Sequence, residues 1–447
     1  MPRPFAPDAA HDAAPEPAPV VDPDAVIGDA PDGIPGGMLR PGLDAMFIDF
    51  DSFFASCEQQ RQPQLRGRPV GVIPVATEHT CCIAASYEAK AFGVKTGTPI
   101  RDARRMCPGI AFVLAEHRIY IEFQQRALEA IDLCAPVWAV HSIDELSIKL
   151  CPRTRQADEA MALGRAIKAS LAQHVGAFMR CSIGIAPNRF LAKTGSNLDK
   201  PDGLCVLDGA SIPGRLFGLD PKKLTGVGGA MSGRLRACGI TTVGQLYACS
   251  PEELRRIWKS VLGEMWWAQL RGGTDWYDRP STRQSVSHGH MMEPALRTHE
   301  GARSLGVRLL TKACVRLRDI DYHATRITVF VRYEDGHRWT ADGVFEPARD
   351  SLAIQRVLAR VWNPPAHDRP KQVIVVLSGL IPSRGVEASL FDAAERSSEL
   401  SDVFDRITRR YGYDAIYTAS MHHAKKAAPR RIAFGNIPDL NIPDAEI

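Results

Sequence analysis

The stretch Phe47-Ile48-Asp49-Phe50-Asp51-Ser52-Phe53-Phe54 sets two carboxylates into an apolar run of strand character. Acidic residues are depleted from strands and are almost never fully buried without a partner. A second segment, Ser142-Ile143-Asp144-Glu145-Leu146, runs into the strand-like Ser147-Ile148-Lys149-Leu150. Apolar strands that gather Asp49, Asp144 and Glu145 into one cluster need positive charge between them. A pair of divalent cations is the usual answer, and hard oxygen ligands suit Mg²⁺. Two such ions about 3.5–4 Å apart clamp the attacking and leaving oxygens of a phosphoryl transfer. The backbone carbonyl of Phe50 is a candidate further ligand. Asp51 shares a strand face with Asp49 by the two-residue period. It stays outside the metal set, because Asp51 or Ser52 suits the N-cap of the helix that follows.

The whole chain sets broad bounds. Its 447 residues suggest two to four domains. A hydrophobic content of 45% and a charged content of 24% are ordinary for a globular protein. No apolar run approaches the ~18–20 residues of a membrane span, and Asp8, Asp12 and Glu16 stand where a signal peptide would be apolar. The expected location is the cytoplasm. The eleven cysteines include no C-x₂-C pair, which excludes zinc-site spacing and leaves small core residues in a reducing compartment. Net charge is +4 but uneven. Residues 1–40 hold seven acidic and two basic residues, whereas residues 283–385 hold 16 basic against 10 acidic. A basic bias concentrated in one module points to a polyanion partner.

The chain changes character along its length. Residues 1–40 include nine prolines and lack apolar periodicity, so a disordered tail is expected. From Asp44 onward the pattern predicts strands at 45–51, 70–75, 145–150 and 180–185. Helices are expected at 53–60, 86–92, 118–134, 155–175 and 188–198, an order that suits an α+β sheet packed on helices. Residues 213–278 read as helical around Gly226-Val227-Gly228, a helix–hairpin–helix signature whose backbone N–H groups can approach phosphates. Residues 285–383 read as β-α-β-β-α-β, with Arg326, Arg332 and Arg338 placed to track a nucleic-acid backbone. Residues 386–447 read as a tail with one helix.

Two basic groups complete the candidate set. Ser86-Tyr87-Glu88-Ala89-Lys90 puts Tyr87 and Lys90 on one helical face, where both can reach an anion. Asp199-Lys200-Pro201-Asp202-Gly203 makes a turn that presents Lys200 at the end of a helix.

Taken in order, these segments resemble the Y-family (translesion) DNA polymerases over roughly residues 44–420. The resemblance rests on 48–58 (IDFDSFFASCE), 85–95 (ASYEAKAFGVK), 142–145 (SIDE) and 182–203 (SIGIAPNRFLAKTGSNLDKPDG). It implies an α+β right-hand polymerase. A ferredoxin-like palm would span 44–58 and 115–212, small fingers 59–114, a helix–hairpin–helix thumb 213–280 and a β-α-β-β-α-β little finger 281–385. Residues 1–43 and 386–447 would be tails. It further implies Asp49, Asp144 and Glu145 as catalytic ligands of two Mg²⁺ ions. Phe54 would be a steric gate under the sugar, with Phe53 as packing. Tyr87, Lys90 and Lys200 would lie around the triphosphate of a dNTP, and Gly226, Gly228, Arg326 and Arg332 along primer–template DNA. The implied reaction is low-fidelity, template-directed nucleotidyl transfer in lesion bypass by a monomer. The alternative is a non-catalytic accessory subunit that binds DNA and a sliding clamp. The chain departs from the family pattern at three places. Lys90 stands where Arg is usual, and a point charge cannot make the bidentate fork. Leu146-Ser147-Ile148-Lys149 replaces an Ala-Tyr-Leu-Asp-like run. Glu387-Ala388-Ser389-Leu390-Phe391 is a degraded form of a clamp-binding peptide, with Leu390 and Phe391 as its apolar anchors.

Overall fold

The computed structural model describes residues 42–273, 283–365, 369–386, 392–412, 415–429, 431–432 and 437. The expectations for residues 1–40 and for Leu390 and Phe391 lie outside the described residues. Two compact units divide the chain between residues 273 and 283.

The first unit starts with β1 (Ala45–Phe50), in which all six residues are buried. Burial on both faces is why it reads as a continuous apolar run rather than an alternating one. Helix α1 (Phe53–Arg61) follows, then β2 (Val70–Ile73), β3 (Ala84–Ala85), α2 (Tyr87–Ala91), α3 (Ile100–Met106) and β4 (Ala111–Leu114). After α4 (His117–Asp132) come β5 (Ala139–Val140), β6 (Glu145–Lys149), α5 (Ala157–His174), β7 (Cys181–Ala186), α6 (Arg189–Leu198) and β8 (Leu204–Val206). The main sheet has the order β5-β6-β1-β7-β8, with β1 antiparallel to both neighbours. A smaller sheet, β3-β2-β4, packs on α2 and α3 around Ala89, Ile100 and Ala103.

Helix α6 lies on the main sheet closer than side chains normally permit. Gly184 of β7 makes this possible, since a Cβ there would stand 1.9 Å from the carbonyl oxygen of Ala192. Asn188 caps α6 by accepting the Leu191 N–H at 2.8 Å. Its amide also donates to the carbonyls of Gln269 and Gly273, which ties α6 to the helical segment beyond. That segment holds α7 (Ile212–Leu216), α8 (Gly229–Ala237), α9 (Val243–Ala248), α10 (Pro251–Trp258) and α11 (Leu262–Leu270). Capping boxes at Thr242/Gln245 and Ser250/Glu253 start α9 and α10. The Gly-Val-Gly turn is entered not from a long helix but from the three-residue 3₁₀ turn Pro221–Lys223.

In the second unit β9 (Ser285–Met291), α12 (His299–Asp319), β10 (Tyr322–Tyr333), β11 (Arg338–Ala348), α13 (Ser351–Val361) and β12 (Pro370–Ser378) form an antiparallel sheet, β11-β10-β12-β9, with helices against one face. A short β13 (Ile381–Pro382) pairs with β10, and α14 (Asp392–Tyr411) follows. The segment that reads as a tail carries part of this core. Arg318 donates to both carboxylate oxygens of Asp405 on α14 at 2.6 and 2.8 Å. Met421, Ala424, Ala427 and Ala428 are buried in the same cluster as α12 and α13. Small alanines in a polar stretch give no apolar period, which is why sequence reading leaves them outside.

All eleven cysteines are free. Burial pushes the Cys181 and Cys314 thiols up to about 12, so they behave as inert core groups.

Candidate active site

Pairing of β1 with β6 sets Asp49 directly opposite Glu145. The Phe50 N–H donates to the Asp144 carbonyl at 2.9 Å, which fixes the turn before β6 against the end of β1. The Asp144 carboxylate accepts the Ser142 hydroxyl at 2.5 Å. Two ammonium groups complete the cluster. Lys193 of α6 donates to Asp49 and, at 2.8 Å, to Glu145, while Lys200 donates to the other Asp49 oxygen. Burial would pull the Lys193 ammonium down, but the charges of Asp49 and Glu145 outweigh it and hold its pKa above the usual lysine value. No three His, Cys, Asp or Glu side chains stand at metal-ligand spacing among the described residues. The donor chemistry still fits a hard cation. Asp49 is only 4% exposed, and each of its oxygens is already engaged by a positive charge. Carboxylate oxygens are the ligands hard cations take, and a bound cation would take the place that Lys193 and Lys200 hold at Asp49.

Lys193 is the residue that sequence reading missed. It lies one helical turn after Arg189, and α6 turns it toward β1 only because Gly184 admits the helix so closely. The run Arg189–Lys193 was visible, but its direction was not.

Asp51 has a different role from the cap expected of it. Ser52 adopts a left-handed conformation (φ 52°) and makes no side-chain cap, so α1 begins without one. Asp51, 2% exposed, accepts the Ser182 hydroxyl, the Tyr87 hydroxyl at 3.1 Å and the Asp202 N–H at 2.7 Å. One carboxylate thus joins the main sheet, α2 and the loop that carries Lys200. Burial first, and then the Asp51 charge, raise the Tyr87 hydroxyl well above its usual pKa, so it stays protonated. The Lys90 ammonium lies 4.3 Å from the centre of the Tyr87 ring. Its pKa is lowered, by desolvation first and by Lys200 second.

Phe54 stacks on Tyr120 with ring centres 4.5 Å apart, and its edge meets His117. Tyr120 is fully buried and donates to Glu58 at 2.8 Å, so the Phe54 ring rests on a fixed platform. Phe53 is buried between the rings of Phe50 and Phe54. Gly226 takes φ 93° beneath Trp266, a conformation and a clearance that suit glycine. Gly228 is the N-cap of α8, and a Cβ there would meet nothing within 4 Å. In the second unit, registers of Arg326 with Val344 and of Arg332 with Arg338 put all three arginines on one sheet face, all exposed. The buried Ile327, Val329 and Val331 point the other way, into the core.

Comparison with known proteins adds the family. The impB/mucB/samB family model matches residues 48–197, and the model of that family's C-terminal domain matches residues 283–390. DNA polymerase IV of Moorella thermoacetica is 32% identical over 86% of this chain and 97% of its own length. The Pelotomaculum thermopropionicum enzyme of the same name is 31% identical over 84% of this chain and 94% of its own. Among solved structures, a Y-family DNA polymerase chimera matches with a TM-score of 0.62 at 23% identity. It covers 76% of this chain and 99% of its own. An insertion ternary complex of Dbh DNA polymerase matches over the same shares with a TM-score of 0.51 at 24% identity. The two matched segments, the length of the shared alignment and the shared architecture agree: this chain belongs to the impB/mucB/samB family of Y-family DNA polymerases.

Proposed function

We propose that this polymerase makes its low-fidelity bonds at Asp49, Asp144 and Glu145, in a palm formed by the main sheet. The β2–β4 region would be the fingers, the α7–α11 segment the thumb and the second unit the little finger. The chain is a DNA-directed DNA polymerase of the translesion class, in which a primer 3′-OH attacks the α-phosphate of a dNTP and pyrophosphate leaves. The observation that carries the site assignment is the pairing of Asp49 with Glu145 across β1 and β6, flanked by two lysines.

Asp49, Asp144, Glu145 and the Phe50 carbonyl would hold Mg²⁺, which when bound supplies positive charge to the reacting oxygens. Lys200 and Lys193 neutralise the triphosphate from the α6 side. Tyr87 and Lys90 approach it from α2. Phe54, braced by Tyr120, closes the space a ribose 2′-OH would need. Little covalent chemistry falls to the protein, so placement and electrostatics carry the rate. Gly226 and Gly228 before α8 would approach DNA phosphates in the first unit, and the exposed arginines of the second unit would bind the DNA backbone without reading its sequence. A sliding clamp is a further expected partner. No helix among the described residues is long and apolar enough to cross a membrane.

The test is primer extension with Mg²⁺ and single dNTPs, comparing the wild type with the Asp144→Ala/Glu145→Ala variant. Template-directed extension should fall at least about a thousandfold in the variant, while primer–template binding persists. Equal extension by both proteins would overturn the site. Binding without extension by either would favour the accessory-subunit reading.

A further inference from the structure

The second unit gathers positive charge on its helix side, on the opposite face of the sheet from its exposed arginines. Val286 of β9 is buried in the same core as α12, and the two-residue period puts His288 and His290 on that face. Arg308 and Lys312 stand four residues apart on α12, one turn from each other on a single side of the helix. Arg308 is only 5% exposed. The Lys312 ammonium donates to the carbonyl of Ala428, three residues before Arg431. These cations meet at His290. After burial, the charges that lower its pKa are those of Arg431, Lys312 and Arg308, all of them positive. Each of the three has a further partner. A guanidinium is almost never buried unless it is paired, so the cluster calls for acid.

The sequence after Arg431 is acidic. Residues 433–447 hold Asp439, Asp444 and Glu446 and no Lys or Arg. Asn436-Ile437-Pro438-Asp439 recurs as Asn441-Ile442-Pro443-Asp444, so the same acid follows the same Ile-Pro pair twice, five residues apart. Proline opposes helix and favours an extended residue before it. Ten extended residues reach up to about 33 Å, whereas Arg308 and Lys312 are separated by only about 6 Å of helical rise. Arg431 already stands at the cluster, so little chain is needed to bring the acids there. We propose that residues 438–447 fold back on the cleft between β9 and α12 as an acidic strap, with Asp439 and Asp444 pairing with Arg308, Lys312 and Arg431. The strap is an internal competitor. Its carboxylates hold positive charge that a polyanion would otherwise take, and they leave the sheet face as the basic surface of this unit.

The test compares the full chain with a chain stopped after Ile437 and with the full-length Asp439→Asn/Asp444→Asn variant. Amide exchange in β9 and α12 should quicken about tenfold or more in both, as loss of charge-assisted hydrogen bonds implies, while β1 and β6 keep their protection. Blunt duplex DNA should bind both with a steeper salt dependence, the slope of log K against log salt growing by about 0.9 for each cation released. A synthetic peptide of residues 438–447 should restore protection to the stopped chain, which tells a missing strap from a misfolded unit. The Asp439→Asn/Asp444→Asn form of that peptide should not restore it. Arg431→Gln should quicken exchange in the full chain and add nothing in the stopped chain. Unchanged exchange in the stopped chain, or equal rescue by the two peptides, would overturn the strap. Faster exchange with an unchanged salt slope would overturn its role as competitor.

Discussion

In the main sheet of the first unit the critical charges are hidden: Asp49 is 4% and Asp51 2% exposed, and each is held by two or more donors. In the sheet of the second unit Arg326, Arg332 and Arg338 stand in solvent, and Arg332 donates to the neighbouring Gln372 side chain at 3.3 Å. The main sheet is covered on both faces, by α5 and α6 on opposite sides, whereas the second unit's sheet carries helices on one face only. On the proposed assignment, the difference follows from the task. Bond formation needs charges held in place before substrate arrives, and that requires burial and several partners. Binding DNA of any sequence needs charge alone, which works through counterion release and tolerates loose side chains. The second unit concentrates its buried polar geometry elsewhere, at the Arg318–Asp405 pair beneath α14.

Removing that pair should have the largest effect on the second unit. Arg318 and Asp405 side chains are 6% and 10% exposed, so Asp405→Ala should cost about 3–5 kcal/mol by leaving a buried guanidinium unpaired. Hydrogen exchange should then rise in β10 and β12 while β1 and β6 keep their protection. Equal protection in variant and wild type would mean that α14 is dispensable to this core.

A milder outcome is expected on the exposed face. Arg326→Ala and Arg332→Ala should each weaken DNA binding about eightfold near 0.1 M salt, additively and with a salt slope lower by about 0.9. A strongly non-additive double variant would show that these arginines are organised like the buried carboxylates, and the contrast between the two sheets would fail.

The smallest effect is one of pH, because among the described residues His141 of the first unit and His290 of the second are both held near pKa 4. His141 is lowered by burial and then by Arg189 and Lys193; His290 is lowered by burial and then by Arg431, Lys312 and Arg308. An unfolded histidine takes up its proton near pH 6.5. Between about 6.5 and 4 the unfolded chain therefore binds more protons than the folded one, and stability falls as pH falls. His141→Gln should flatten this loss for β1 and β6, and His290→Gln for β9 and β12, as read by exchange at pH 6.5 and 4.5. Slopes identical to the wild type would remove both histidines from the account.

Much of this was legible along the chain. A buried central strand reads as an unbroken apolar run, so β1 and its carboxylates stand out. Antiparallel strands with one solvated face alternate, so β10 and its arginines stand out too. What could not be read depends on contacts between distant segments. Asp51 looks like a helix cap until the fold brings Tyr87, Ser182 and Asp202 to it. Lys193 reaches Asp49, 144 residues away, only because a glycine on β7 lets α6 settle onto the sheet. The platform under Phe54 depends on Tyr120 and Glu58, which are 62 residues apart. The alanines at 424, 427 and 428 are too small to signal burial by hydrophobicity.

The packing of residues 419–428 against α12 also bears on how the chain is made. Synthesis runs from the N-terminus, and units fold as they emerge. Asp49, Asp144 and Glu145 are all made by residue 145 and their two lysine partners by residue 200, but the core of the second unit's sheet closes only when Met421 and Ala424 arrive, with Ala424 bonding back to Ser304 across 120 residues. A chain that stops between residues 200 and 421 therefore carries the charge cluster of the first unit but leaves the core of its second unit unfilled.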